Sequence, residues 1–203
     1  MEIREFKPED KNILAKIYTD CFREPPWLEE FGQQEVGNMF IQVSKWLDTI
    51  FLVAEHKGEI VGGAIAYDLA RKEDVAALVP ASTTDRAIYM AELFVEKPCR
   101  NCGVGRSLII ARLALAKMFG YANMVARTSI DQPIIKHLYC NRLGATVVAE
   151  QKVSSYHRTQ IVERQKVMVP DQRLIMAGRI PEEVLVETLL KVWPLAQRKR
   201  STF

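Results

Sequence analysis

The sequence has little histidine and cysteine, with three and four residues in 203. It also has no apolar run long enough and clean enough to cross a membrane. The most apolar stretch, Ser107 to Ala126, is broken by Arg112 and Lys117 and reads as a buried helix. The first ten residues, MEIREFKPED, are charged and carry no apolar core, so a secretory leader is not expected. Four cysteines without such a leader point to free thiols in a reducing cytoplasm. Repeats and low-complexity tracts are missing. A strong charge excess is missing too: the net charge is +3, which demands no nucleic acid and suits an anionic ligand equally well.

What is present is an ordinary globular composition, 48% hydrophobic and 26% charged, at a length that suits one domain. Ile3 and Phe6 sit in a short opening strand. Ile13, Leu14, Ile17 and Phe22 have helical spacing, and Pro25-Pro26 ends that helix. A second amphipathic helix carries Val36, Phe40, Val43 and Leu47. The run IFLVAEHKGEIVGGAIAYDL reads as a hairpin turning at His56-Lys57-Gly58-Glu59. Residues 70 to 87 read as a loop with at most one helical turn. Strand YMAELFVE, a helix to about Phe119, strand Asn123 to Ile130 and a helix from Gln132 to Leu143 follow. Two β-rich runs lie between Thr146 and Val169, and a last helix is expected from Pro181 through Trp193. The interleaved order β-α-α-β-β-β-α-β-α-β-β-α predicts an α/β (α+β) fold with helices around one mixed sheet.

The informative stretch is PCRNCGVGR, residues 98 to 106. It lies between a strand and a helix, where unpaired N–H groups and glycines make an anion site. A Walker loop is not spelled here, and the dinucleotide fingerprint fails because its third glycine is Leu108. The same stretch contains Cys99-x-x-Cys102, and His137-x-x-Cys140 would supply a second ligand pair. That gap exceeds thirty residues, longer than the common zinc spacings. A zinc or redox protein using Cys99 and Cys102 is therefore the lesser alternative.

The segment AELFVEKPCRNCGVGRSLI resembles the coenzyme A pyrophosphate segment of the GNAT N-acetyltransferase superfamily. Leu93 and Val95 match its strand, and Arg100, Gly103 and Gly105 match its R-x-x-G-x-G loop. IIKHLYCNRLGA resembles its late helix through Leu138, Tyr139, Arg142, Leu143 and Gly144. The resemblance implies a mixed, mostly antiparallel sheet over residues 1–169, followed by a helical extension, 170–203, packed on the domain or on a second copy. It also implies acetyl transfer from acetyl-CoA to a primary amine of a small molecule or peptide, with no metal, no nucleic acid and no membrane. The alternative is an acyl-CoA-binding module without chemistry.

Under that resemblance Glu92 is the candidate base and Tyr139 the candidate acid. The cofactor would lie on Leu93, Phe94, Val95, Arg100, Asn101, Cys102, Gly103, Val104, Gly105 and Arg106, with Gln132 offering an amide to the pantetheine arm. Strand alternation sets Glu92 and Phe94 opposite Leu93 and Val95. The wall of the acceptor site would come from REPPWLEEF, with Trp27 and Phe31 stacking on the substrate and Glu29 or Glu30 holding a cation. His56, His137 and His157 are not expected to be catalytic.

Overall fold

The computed structural model describes residues 1–154, 157–162 and 165–184. Nine strands are present among them: β1 (Glu2–Glu5), β2 (Ile50–His56), β3 (Glu59–Asp68), β4 (Ala87–Val95), β5 (Asn123–Ser129), β6 (Thr146–Val153), β7 (Thr159–Val162), β8 (Gln165–Met168) and β9 (Asp171–Arg179). The helices are α1 (Lys11–Arg23), α2 (Gln33–Ser44), the short α3 (Glu73–Ala76) and α4 (Ala81–Thr84), α5 (Val104–Met118), and α6 (Pro133–Lys136), which runs on into a π-helical turn, His137–Arg142. No helix among the described residues is long and apolar enough to cross a membrane.

Seven strands form one sheet in the order β1-β2-β3-β4-β5-β9-β6, and β7-β8 is a separate hairpin. Only the central pair β4-β5 is parallel; the other five neighbouring pairs are antiparallel. Alternation on β2 shows how both faces are filled. Ile50, Leu52 and Ala54 face α5, while Phe51 and Val53 face α1 and α2. The hairpin between β2 and β3 turns at Lys57 and Gly58, both with positive φ, 53° and 81°, as a tight two-residue turn requires.

Three expectations need correction. The core does not end at Val169. Strand β9 is inserted between β5 and β6 and pairs with both along its length, so the sheet runs to Arg179. Its Leu174, Ile175, Met176 and Ala177 are all buried, which is what an apolar run supplies when a strand is covered on both faces. The helical part of the extension begins at Glu183-Val184, and the rest of the helix expected through Trp193 lies outside the described residues. Leu47 also leaves its assigned face: α2 stops at Ser44, and Leu47 is 74% exposed. The segment 70–87 carries two short helices rather than one turn, with Val75 and Val79 packed beneath β4 and β5.

The feature that positions the site is a break in register on β4. Tyr67 pairs with Tyr89 but Ile65 pairs with Glu92, so two residues, Met90 and Ala91, stand opposite the single Ala66. The bulge reverses the alternation. Ile88 and Met90 face α5 before it, and Leu93 and Val95 face α5 after it. Beyond Met90, β4 no longer pairs with β5. The two parallel strands part there and leave an opening between them.

Candidate active site

A cavity of about 280 Å³ fills the opening, walled by Met90 to Leu93 of β4 and Ala126 to Thr128 of β5. α1 covers it with Tyr18 and Phe22, and the following loop adds Trp27, Glu29 and Phe31. Ile135 and Tyr139 close it from α6 and the π-helical turn, and His157 and Arg173 from the far side.

Glu92 points into this cavity on the same side of β4 as Phe94, as alternation expected. The Tyr18 hydroxyl donates to its Oε2 at 3.4 Å. Burial pushes the Glu92 carboxyl up to about 7, and the nearby Glu29 charge pushes the same way. Arg173, Arg127 and the Tyr18 hydroxyl oppose that shift. Glu92 is thus an enclosed carboxyl that exchanges a proton near neutrality. Tyr139, 3% exposed, sits in the π-helical turn. Burial raises its phenol and the neighbouring Arg112 guanidinium lowers it.

Trp27 and Phe31 both line the cavity, but Glu30 does not. Leu28 takes a positive φ of 52°, and Glu29 then makes an antiparallel bridge to Arg158. That geometry turns Glu29 inward, 5% exposed, and leaves Glu30 on the outside. Glu29 is not an open cation site either. Its carboxylate pairs with Arg173 Nη2 at 3.1 Å, and Arg173 Nε pairs with Asp171 at 3.0 Å. Asp171 also meets Arg158 at 2.6 Å. Burial holds the Glu29 carboxyl above its usual range despite Arg173.

The glycine loop leads away from the cavity along β4. Gly103 has φ 84° and precedes α5, and the first helical hydrogen bond runs from the Ser107 N–H to its carbonyl, 2.9 Å. The backbone N–H groups of Asn101, Cys102, Gly103, Val104 and Gly105 donate to no group among the described residues. Unpaired N–H groups at a helix start favour a nearby negative charge. Gly105 lies against Leu93 and Val95, which ties the helix start to the strand.

Arg100 is bonded on the α1 side of the loop. Its N–H donates to the Lys97 carbonyl, and its guanidinium reaches back to the Val95 carbonyl (2.9 Å), Cys21 Sγ (3.3 Å) and Glu24 (2.5 Å). These bonds fasten the loop to the end of α1. Arg106, on the exposed first turn of α5, borders a groove with His137, Leu138, Arg142 and Leu143. Gln132 is half-buried ahead of α6 and forms no part of the cavity wall. Cys99 packs against the core while Cys102 is exposed, and among the described residues no group of three or more His, Cys, Asp or Glu could hold a metal.

Sequence reasoning missed Tyr18, Glu29's pairing, Arg127, His157 and Arg173. Arg127 and Arg173 reach the cavity through the pairing of β5 with β9, and His157 is placed by stacking on Phe31 at 4.3 Å.

A sequence model described as the acetyltransferase (GNAT) family matches residues 12–145. No curated protein matches the chain closely enough to count as a relative. Among solved structures, the fold is similar to a ribosomal-protein-alanine N-acetyltransferase from Brucella melitensis (TM-score 0.65, 17% identity, 89% of this chain and 100% of that one). It is similar to yncA of Salmonella typhimurium with its cofactor acetyl-CoA (0.62, 18%, 90% and 95%). A third is the PaiA N-acetyltransferase of Thermoplasma acidophilum in complex with coenzyme A (0.57, 13%, 88% and 98%).

Proposed function

The chain belongs to the acetyltransferase (GNAT) family, and from that premise we propose that it transfers an acetyl group from acetyl-CoA directly to a primary amine, with Glu92 as base and Tyr139 as acid. The observation that carries this reading is a titratable carboxyl and a buried phenol lining one cavity, with a row of open backbone N–H groups beyond the end of the same strand.

Acetyl-CoA supplies the activated acetyl group. The cradle from Asn101 to Gly105 suits its pyrophosphate, because N–H donors and the α5 dipole both favour negative charge. Arg106 and Arg142 on the adjoining groove suit a further phosphate. Arg100 supports the site only by holding the loop's shape.

Glu92 takes a proton from the acceptor ammonium, which frees the nitrogen lone pair to form the new C–N bond. Backbone N–H groups of the Leu93–Val95 segment, left without a β5 partner, meet the carbonyl oxygen as it gains charge. As the C–S bond breaks, the Tyr139 hydroxyl gives its proton to sulfur. Nitrogen loses two protons on its way from ammonium to amide: Glu92 passes the first to solvent, and the second, lost from the tetrahedral adduct, restores the Tyr139 phenol, so the net exchange is one proton to sulfur and one to solvent.

The acceptor end is lined by Tyr18, Phe22, Trp27 and Phe31. Glu29 is already paired, so Glu92 is the carboxylate left for the amine. An amine with an apolar or aromatic flank fits that wall better than a polyamine, which needs a second open carboxylate.

The test is thiol release from acetyl-CoA in the presence of aralkyl amines, amino-acid amides, short peptides and polyamines. Tyr139→Phe is expected to lower turnover about a hundredfold with acetyl-CoA affinity unchanged. Unchanged turnover discards the acid assignment. Binding of acetyl-CoA with no transfer to any amine favours the non-catalytic module.

A further inference from the structure

Arg112 lies in the middle of α5 with 0% exposure, the largest fully buried side chain in the described residues. No carboxylate forms an ion pair with it among those residues. A guanidinium keeps its proton in a protein, so this is a cation placed in the core without a counter-ion, a costly arrangement in the absence of compensation.

Its hydrogen bonds show where it is held. Nη1 donates to the carbonyl of Ile65 at 2.7 Å and to that of Glu92 at 2.9 Å. Ile65 and Glu92 are register partners at the β4 bulge, so Arg112 caps two carbonyls that the break in pairing would otherwise strand. Nε reaches the Leu108 carbonyl at 3.4 Å, and Nη2 has no hydrogen-bond partner. Burial opposes the charge on Arg112, and the Tyr139 phenol and the Glu92 carboxyl favour it. Burial likewise raises the Tyr139 phenol, and the Arg112 guanidinium opposes that rise. The guanidinium that is bonded to the Glu92 carbonyl thus also acts on the acid proposed above.

We propose that Arg112 is a positioning residue for acetyl transfer: it braces the β4 carbonyl of Glu92 and holds a fixed positive charge beside the Tyr139 hydroxyl, stabilising the tyrosinate left when the departing sulfur takes the phenolic proton. The charge accounting closes at that step. The C–S electron pair goes to sulfur, the phenolic O–H bond breaks toward sulfur, the negative charge left on Tyr139 meets the guanidinium, and the second proton lost by the acceptor nitrogen as it becomes an amide restores the phenol. A stranded cation in the resting protein becomes half of an ion pair at the moment of transfer, which is the differential stabilisation that accelerates a step. The inference rests on Tyr139 acting as the acid.

The experiment has a readout that needs no acceptor. Protein carrying 3,5-difluorotyrosine, whose phenol is more acidic, is titrated by fluorine NMR, with Tyr139→Phe identifying the Tyr139 signal. Arg112→Met keeps a long apolar side chain, and it should move the Tyr139 titration upward by more than one pH unit. Arg112→Lys, which keeps the charge, should restore most of that shift. Turnover with the best amine of the panel supplies the second readout. Arg112→Met and Tyr139→Phe should each cost about a hundredfold in kcat, and the double variant no more than either, with acetyl-CoA affinity held within about twofold. Should Arg112→Met fail to fold, Arg112→Gln, which removes the charge and keeps a donor for the carbonyls of Ile65 and Glu92, carries the same cycle in both Tyr139 backgrounds: a loss of turnover that vanishes beside Tyr139→Phe supports the proposal, and no loss, or one that persists in full, overturns it. An unmoved Tyr139 titration, or losses that multiply in the double variant, overturns the role of Arg112. A silent Tyr139→Phe instead overturns the acid assignment and takes the proposal with it.

Discussion

The hydroxyl of Tyr18, from the middle of α1, donates to the Glu92 carboxylate of β4 at 3.4 Å. The ring that carries it is locked among Phe22, Phe31, Phe40 and Phe94 at centroid distances of 4.3 to 5.7 Å. The aromatic cluster that joins α1 to the sheet thus also aims a donor at the candidate base.

Tyr18→Phe keeps that packing and removes the donor. The bond favours the charged carboxylate, so its loss should raise the Glu92 pKa further above about 7. The acid limb of kcat/KM against pH should move up by roughly half a unit to one unit, with the melting temperature little changed. An unmoved limb would separate Tyr18 from the chemistry.

Glu92 also makes a stability prediction. Its folded pKa, about 7, lies above the ordinary 4.5, so between those values the folded protein holds a proton that the unfolded chain has released. This group's contribution is therefore fully present below pH 4.5 and lost as pH rises through 7. Glu92→Gln should be the more stable protein at pH 8, by about 2 kcal/mol and several degrees, with the gap closing near pH 4. Its turnover should collapse. Equal melting temperatures at pH 8 would show that the carboxyl is not raised.

Arg100 and Arg106 should part company. Arg106→Ala is expected to raise the KM for acetyl-CoA several-fold with kcat unchanged, more strongly at low salt. Arg100→Ala removes a tie between the loop, Glu24 and Cys21. It should lower the melting temperature and show little salt dependence in its effect on acetyl-CoA affinity. Identical salt profiles for the two variants would contradict the assigned roles.

Gly103 precedes α5 at φ 84°, with open space where a Cβ would stand. Gly103→Ala is strained by backbone conformation alone, about 1 kcal/mol. It should weaken acetyl-CoA binding by relaxing the cradle, while Gly103→Asn, which tolerates the left-handed region, should lose less in a binding titration. Equal losses would point to side-chain bulk instead.

The parts of this molecule legible in its sequence are those decided locally. The R-x-x-G-x-G loop, the opposite faces of Glu92 and Leu93, and the Lys57-Gly58 turn all follow from short-range backbone chemistry. The bulge at Met90-Ala91 is a register relation between β3 and β4, and no pattern within YMAELFVE announces it. The insertion of β9 between β5 and β6 is likewise non-local, and the apolar run LIMA, 174 to 177, was its only sign. Glu29 rather than Glu30 faces inward because of one left-handed residue, Leu28, and a bridge to a segment more than a hundred positions away. Arg112 was visible as an interruption of an apolar helix. What it interrupts the helix for becomes apparent only when β3, β4 and the π-helical turn converge on it.

The measurement that tests the account most directly is thermal unfolding of chelator-treated protein with and without acetyl-CoA. At a hundredfold excess over its dissociation constant the ligand should add about 2.7 kcal/mol, a rise of several degrees, and the rise should shrink in Gly103→Ala. No rise, together with stability lost to the chelator, would contradict the account and return attention to Cys99 and Cys102.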